Sequence, residues 1–228
     1  MTELTQVPFA DMTFVDNPEP RCPCVLLLDT STSMAGASID QLNAGLRQFQ
    51  KELANDALAS QRVEIAVITF GPVKVVQDFI TADLYAPTEL RAEGDTPIGG
   101  AISEALELIR LRKQQYQANG IAYYRPWVFL ITDGAPTDRW EAAAKSIKEG
   151  ERLKSLSFFS VGVDGADMTT LEHLSVRAPL KLRGVMFREL FRWLSNSLSG
   201  VSHSQVGDRL LLPNPDTCLL YTSPSPRD

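Results

Sequence analysis

At 228 residues, 44% hydrophobic and 22% charged, the chain has the size and composition of one soluble α/β domain with a sizeable core. Lys plus Arg number 22 against 28 Asp plus Glu, a net charge of −6, which argues against a nucleic-acid binder that works by phosphate neutralisation. No apolar run is long enough to span a bilayer, and the opening MTELTQVPFADMTF has neither the basic nor the apolar region of a secretory signal, so a cytoplasmic protein is expected.

Residues 1–21 read as an extended lead-in that closes on Asn17-Pro-Glu-Pro20. Cys22 and Cys24 flank Pro23 with no second Cys pair or nearby His, a poor zinc pattern that reads instead as two reduced thiols at a strand start. The run Cys24-Val-Leu-Leu-Leu-Asp29 predicts a strand buried on both faces that stops at a carboxylate. Such strands belong to parallel sheets covered by helices, where ligands bind beyond the carboxyl ends. Ile39, Leu42, Leu46, Phe49, Leu53 and Leu58 predict an amphipathic helix over 38–59. A strand over 63–70 follows, and the tight Gly71-Pro72 connection makes 73–80 its antiparallel partner.

Residues 81–94 read as a polar loop. Thr96 followed by Pro97 predicts a helix start with Thr96 as N-cap, and Ile98, Ile102, Ala105, Leu106 and Ile109 mark that helix's buried face. A second doubly buried strand over 126–132 ends at Asp133, with Gly134 allowing a sharp turn. Then come a helix over 139–153, a strand over 157–163, a short helix over 168–175 and a strand over 180–182. A last helix over 187–199 buries Leu190, Phe191, Leu194 and Leu198, leaving Arg188, Arg192 and Trp193 on a solvated or docking face. The fold class is α/β, a doubly wound Rossmann-like sheet, mostly parallel with one antiparallel edge strand and helices on both faces. Residues 22–200 form the domain and 201–217 a C-terminal extension. Residues 218–228, Cys218 included, resemble a translated sequencing adapter, so the natural C-terminus is expected to be missing.

In the loop after the first strand, Ser31 and Ser33 would turn their hydroxyls to the side of the Asp29 carboxylate. One anionic oxygen with neutral hydroxyls suits a hard cation such as magnesium, manganese or calcium. The pattern D-x-S-x-S, a later G-D-T-P-I-G turn and a later T-D-G resemble the von Willebrand factor A domain. The resemblance runs over about residues 17–215 and is nearest to the bacterial TerY type associated with tellurite resistance. It implies a metal-ion-dependent adhesion site (MIDAS) with Asp29, Ser31, Ser33, Thr96 and Asp133 as ligands. Mg²⁺ is the first choice of ion, with Mn²⁺ or Ca²⁺ as alternatives. In the family an open position on the ion takes an acidic side chain from a partner protein. The TerY-type setting implies a tellurite-resistance, stress-response or phosphorylation-signalling system, with a kinase or phosphatase as partner. Taken singly, Asp29 reads as a strand-end cap, Ser31 and Ser33 as turn formers, and Thr96 as an N-cap; the three segments together point to metal.

The competing class is a Mg-dependent phosphatase or phosphotransferase on a similar sheet. Its nucleophilic Asp would need a second Asp two residues on, where this chain has Ser31. Neither a phosphate-binding loop nor a G-x-S-x-G elbow is present, and a dinucleotide-binding domain would need a glycine fingerprint that is missing. A non-enzymatic binding module is therefore expected. Asp95 reads as a solvated turn residue. Asp138, Arg139 and Trp140 follow T-D-G on the same rim, where Trp140 either packs its helix start or meets a partner. His173 and His203 form no ligand pattern.

Overall fold

The computed structural model describes Phe14, residues 16–208 and the backbone of 219–221. Residues 1–13 of the lead-in, 209–217 of the extension, and Cys218 with most of the suspected adapter lie outside the described residues. The strands are β1 Cys22–Asp29, β2 Val63–Phe70, β3 Lys74–Thr81, β4 Trp127–Thr132, β5 Ser157–Gly162, β6 Leu180–Leu182 and β7 Leu219–Tyr221. The helices are α1 Ala37–Ala54, α2 Ala59–Arg62, α3 Ile98–Ala118, α4 Glu141–Arg152, α5 Met168–Leu174 and α6 Phe187–Ser202, with a 3₁₀ turn at Thr32–Met34.

The strand order is β3-β2-β1-β4-β5-β6-β7. β2, β1, β4, β5 and β6 run parallel, and β3 is the expected antiparallel edge strand on β2. At the far edge β7 adds a second antiparallel pairing, Leu180↔Tyr221 through Leu182↔Leu219. It is drawn from the segment set apart in the sequence and sits three strands away from β4. An edge strand presents unpaired backbone groups that any extended apolar segment can meet.

β1 shows why the sheet is covered on both sides. Cys22, Cys24, Leu26 and Leu28 enter one core with Leu42, Leu46 and Phe49 of α1 and Leu190, Phe191 and Leu194 of α6. Val25 and Leu27 enter the other core with Ile98, Ile102 and Ile109 of α3, Ile147 of α4 and Leu171 of α5. Alternation along a strand places successive side chains on opposite faces, so a run that is apolar at every position needs helices on both. Each fully buried Leu contributes about 1.5–3 kcal/mol to the folded state. Burial pushes the Cys22 thiol up to about 12, helped by the Glu64 carboxylate, and pushes Cys24 well above its usual range. Both are free and buried, which suits inert core positions.

Three expectations are corrected. The first long helix ends at Ala54 rather than running to 59. Asp56 Oδ1 accepts from the backbone N–H groups of Leu58 and Ala59, starting the separate short helix α2. Trp193 is not on a solvated face: it is 8% exposed and packs edge-on against Phe129 at 6.1 Å between ring centroids. Arg21, assigned to the lead-in, is 1% exposed; its backbone pairs with Ala122 and Tyr124 and its guanidinium with Glu64. Among the described residues no helix is long and apolar enough to cross a membrane.

Candidate functional site

β1 has β2 on one side and β4 on the other. The chain leaves β1 for α1 on one face and β4 for α4 on the other, and it is beyond the carboxyl ends of such neighbouring strands that open α/β sheets bind ligands. Asp29 is the last residue of β1, and Asp133 follows β4 directly.

Asp29 is fully buried. Its Oδ1 accepts from the Ser31 N–H at 2.8 Å, and its Oδ2 from the Thr132 hydroxyl at 2.5 Å. Burial raises its pKa; the hydrogen bonds from Ser31 and Thr132 oppose that rise, and the nearby Asp133 charge adds to it. The Ser31 and Ser33 hydroxyls lie 2.9 Å apart, and Ser33 donates to Asp133 Oδ1 at 2.6 Å. A continuous polar line thus runs from one carboxylate to the other through both serines. On the opposite loop, Thr96 is buried, and a Cβ on Gly134 would come within 3.2 Å of its hydroxyl oxygen. All five sequence-predicted ligands therefore gather around the ends of β1 and β4. Asp95 is exposed, and neither histidine is part of the arrangement: His203 pairs with Asp56 and His173 with its own helix backbone.

One local expectation fails here. Thr96 is not the cap of α3. The helix begins at Ile98 without a side-chain cap from the preceding residue, and the Asp138 carboxylate accepts from Gly99 N–H at 2.9 Å and Gly100 N–H at 2.7 Å. A carboxylate there satisfies orphan amides and complements the helix dipole, which leaves the Thr96 hydroxyl uncommitted among the described residues. Gly134 lies in the expected bend after β4, without a positive φ, and it also leaves room beside Thr96. Sequence reading also missed Thr132 and Thr137. Thr132 reads there only as the last residue of a strand, and Thr137 is given no role; nothing local in the sequence links either to Asp29 or Thr96.

Gly99 is where α3 and the segment before α4 meet backbone to backbone. A Cβ there would stand 2.2 Å from the Arg139 carbonyl oxygen, so the neighbouring backbone has to move. Gly99→Ala is expected to cost about 1–3 kcal/mol by overpacking, read as a lower urea midpoint with unchanged slope. A variant as stable as the parent would show that this contact is slack.

Among the described residues no group of three or more His, Cys, Asp or Glu side chains is placed to hold a metal ion. An ion at the Asp29 rim would therefore have to rely on hydroxyl oxygens as well as on two carboxylates. That all-oxygen donor set fits a hard divalent cation and not a soft one. The cavity of about 400 Å³ lined by Asn17, Glu19, Gln61, Thr81 and Leu84 lies elsewhere, at the amino ends of β1 and β2. Beside the rim runs an open groove of about 370 Å³ between the start of α1 and residues 89–92.

Residues 24–187 match the family model of the von Willebrand factor type A domain. The chain belongs to that family. Von Willebrand factor A domains commonly mediate metal-dependent protein–protein interaction, and most are not enzymes. No curated protein sequence is similar enough to match. Among solved structures the chain is similar to proximal thread matrix protein 1 from the mussel byssus, at 18% identity and TM-score 0.55, covering 80% of this chain and 49% of that one. The vWA domain of SpRpn10 matches at 12% identity and TM-score 0.50, covering 74% and 82%. The pilus adhesin SpaC from Lactobacillus rhamnosus GG matches at 12% identity and TM-score 0.61, covering 80% and 31%. Identities this low establish the fold and no more. The chain spans about half of the mussel protein and about a third of the adhesin.

Proposed function

We propose that this vWA domain is a metal-dependent protein-binding module. Asp29, Ser31, Ser33, Thr96 and Asp133 would hold one divalent cation, Mg²⁺ first and Mn²⁺ or Ca²⁺ as alternatives. The observation that carries the reading is the polar line Asp29–Ser31–Ser33–Asp133 with the uncommitted Thr96 hydroxyl beside Gly134, the residue after Asp133. Three neutral hydroxyls add oxygen ligands without adding charge, so a bound cation would supply Lewis acidity and keep its attraction for one more anionic oxygen.

The residues of the chain do the rest. Thr132 and the Ser31 N–H orient the two oxygens of Asp29. Ser33 and Asp133 stand at the more open side, where a partner would enter. The partner is a protein that offers an acidic side chain. From the sequence resemblance it belongs to a cytoplasmic tellurite-resistance, stress-response or phosphorylation-signalling system, with a kinase or phosphatase as the first partner to try. The family's usual role and the serine at position 31 both favour binding over catalysis.

Calorimetric titration of the full chain with Mg²⁺ and Mn²⁺, alongside Asp29→Ala, tests the reading. Saturable binding in the micromolar to millimolar range that disappears in Asp29→Ala is the expected outcome. Two folded proteins that both ignore divalent ions would remove the proposal's basis.

A further inference from the structure

Thr96 reaches the site from a loop, and its position has to be set by something other than the sheet. Two contacts with the segment after Asp133 do so. The Thr96 N–H donates to the Thr137 hydroxyl at 3.1 Å, and the Thr137 N–H donates back to the Thr96 carbonyl at 3.0 Å, a closed reciprocal pair. One residue on, the Asp138 carboxylate takes the N–H groups of Gly99 and Gly100 and so anchors the start of α3, two residues after Thr96. The same short segment begins with Asp133, the acceptor of the Ser33 hydroxyl. It therefore fixes the spacing between the Thr96 loop and the loop after β4. The third loop is tied in separately: Thr32 donates to the Gly94 carbonyl from both its backbone and its side chain.

We infer that Thr137 and Asp138 are positioning residues of the Asp29 site, setting how tightly a divalent ion is held by fixing where the Thr96 hydroxyl stands. The inference rests on the metal-binding reading above and adds two residues that touch none of the ligand oxygens. Groups that orient metal ligands from behind typically change affinity by about 10–100-fold when removed. Thr137 is exposed and outside both apolar cores, so valine there removes the hydroxyl acceptor at nearly constant shape, and serine keeps it.

The experiment is a Mn²⁺ titration of the full chain, with free Mn²⁺ read by its electron paramagnetic resonance signal and melting measured in chelator. Thr137→Val is expected to bind Mn²⁺ on the order of tenfold more weakly, with the metal-free melting temperature lowered by only about 2–4 °C for the one lost hydrogen bond, and Thr137→Ser to bind as the parent does. Asp138→Asn, which keeps one acceptor oxygen for α3, is expected to weaken binding in the same direction. Equal affinity in the parent and Thr137→Val overturns the inference, as does equal weakening by valine and serine. Should Thr137→Val fail to fold, the decision passes to Asp138→Asn, and parental affinity there overturns the inference. A parent that binds no Mn²⁺ at all brings down the metal-binding reading itself, and this inference with it.

Discussion

Replacing Glu64 with glutamine is expected to cost about 3–5 kcal/mol of folding stability, the range for breaking a buried ion pair from one side. Glu64 is the second residue of β2, at the amino end of the sheet opposite the Asp29 rim, and is 1% exposed. Its Oε1 accepts from Arg21 Nε at 3.0 Å and from an Arg112 terminal nitrogen at 2.7 Å, and its Oε2 accepts from Arg112 Nε at 2.8 Å and from the Tyr116 hydroxyl. Burial works to lower the Arg112 pKa, but the Glu64 carboxylate more than offsets it and the net direction is up. Burial first, and then the Glu64 charge, raises Tyr116. One carboxylate therefore serves two guanidiniums and a phenol. An amide in its place offers a single acceptor oxygen and turns N–H groups toward cations that are already donors.

Arg21 still donates to the Glu19 and Asn17 carbonyls, so the chain entering β1 stays tethered but with an uncompensated charge in the interior. The check is urea unfolding. A midpoint shift of that size with an unchanged slope is expected, and a loss below about 1 kcal/mol, the level of an exposed pair, would mean that water reaches the network. Replacing the whole cluster by apolar residues of similar volume is expected to cost far less than Glu64→Gln, because no orphaned charge remains.

That network was invisible in the sequence, where Arg21, Glu64 and Arg112 are separated by 43 and 48 positions and nothing local couples them. Arg21 looked like the tail of a lead-in because the Pro-rich stretch before it signals extended chain. What the sequence did make legible is what periodicity governs. An apolar run ending at Asp29 can only be a strand covered on both faces, and β2 matched its expected limits residue for residue. The five candidate ligands came from motif order rather than from spacing, and the fold brings them to one rim. Errors gathered where a long-range contact outranks a local signal. Thr96-Pro97 has the composition of a helix cap, yet Asp138, distant in sequence, takes the amides. Trp193 directly follows Arg192 on a helix, yet the aromatic cluster of Phe129 and Phe159 draws it inward. Leu58 continues a helical spacing, yet Asp56 stops the helix with its own side chain.

The second large effect is expected at Asp29, with opposite signs for stability and for binding. In chelator, Asp29→Asn should melt higher than the parent. Because burial raises the Asp29 pKa in the folded chain, the folded state holds that proton more tightly than the unfolded state does. Asp29's contribution to stability is then most favourable at pH below the ordinary carboxylate range. It falls away as pH rises through the raised folded value, beyond which the ionised group works steadily against folding. Asparagine removes that opposition at neutral pH while keeping an oxygen for the Ser31 N–H and a polar partner for Thr132.

Under the metal-binding proposal, excess Mg²⁺ reverses the order. At free ion about 100 times its dissociation constant the parent gains about 2.7 kcal/mol by mass action, and the variant, without the anionic ligand, gains nothing. Melting curves of both proteins with and without Mg²⁺ decide the matter. A variant less stable than the parent in chelator would mean that the two hydrogen bonds to Asp29 outweigh the cost of burying its charge. A parent whose melting ignores Mg²⁺ would mean that the buried carboxylate serves the fold alone. The expected crossing would mark Asp29 as a residue kept for binding at the expense of stability, as strained functional sites commonly are.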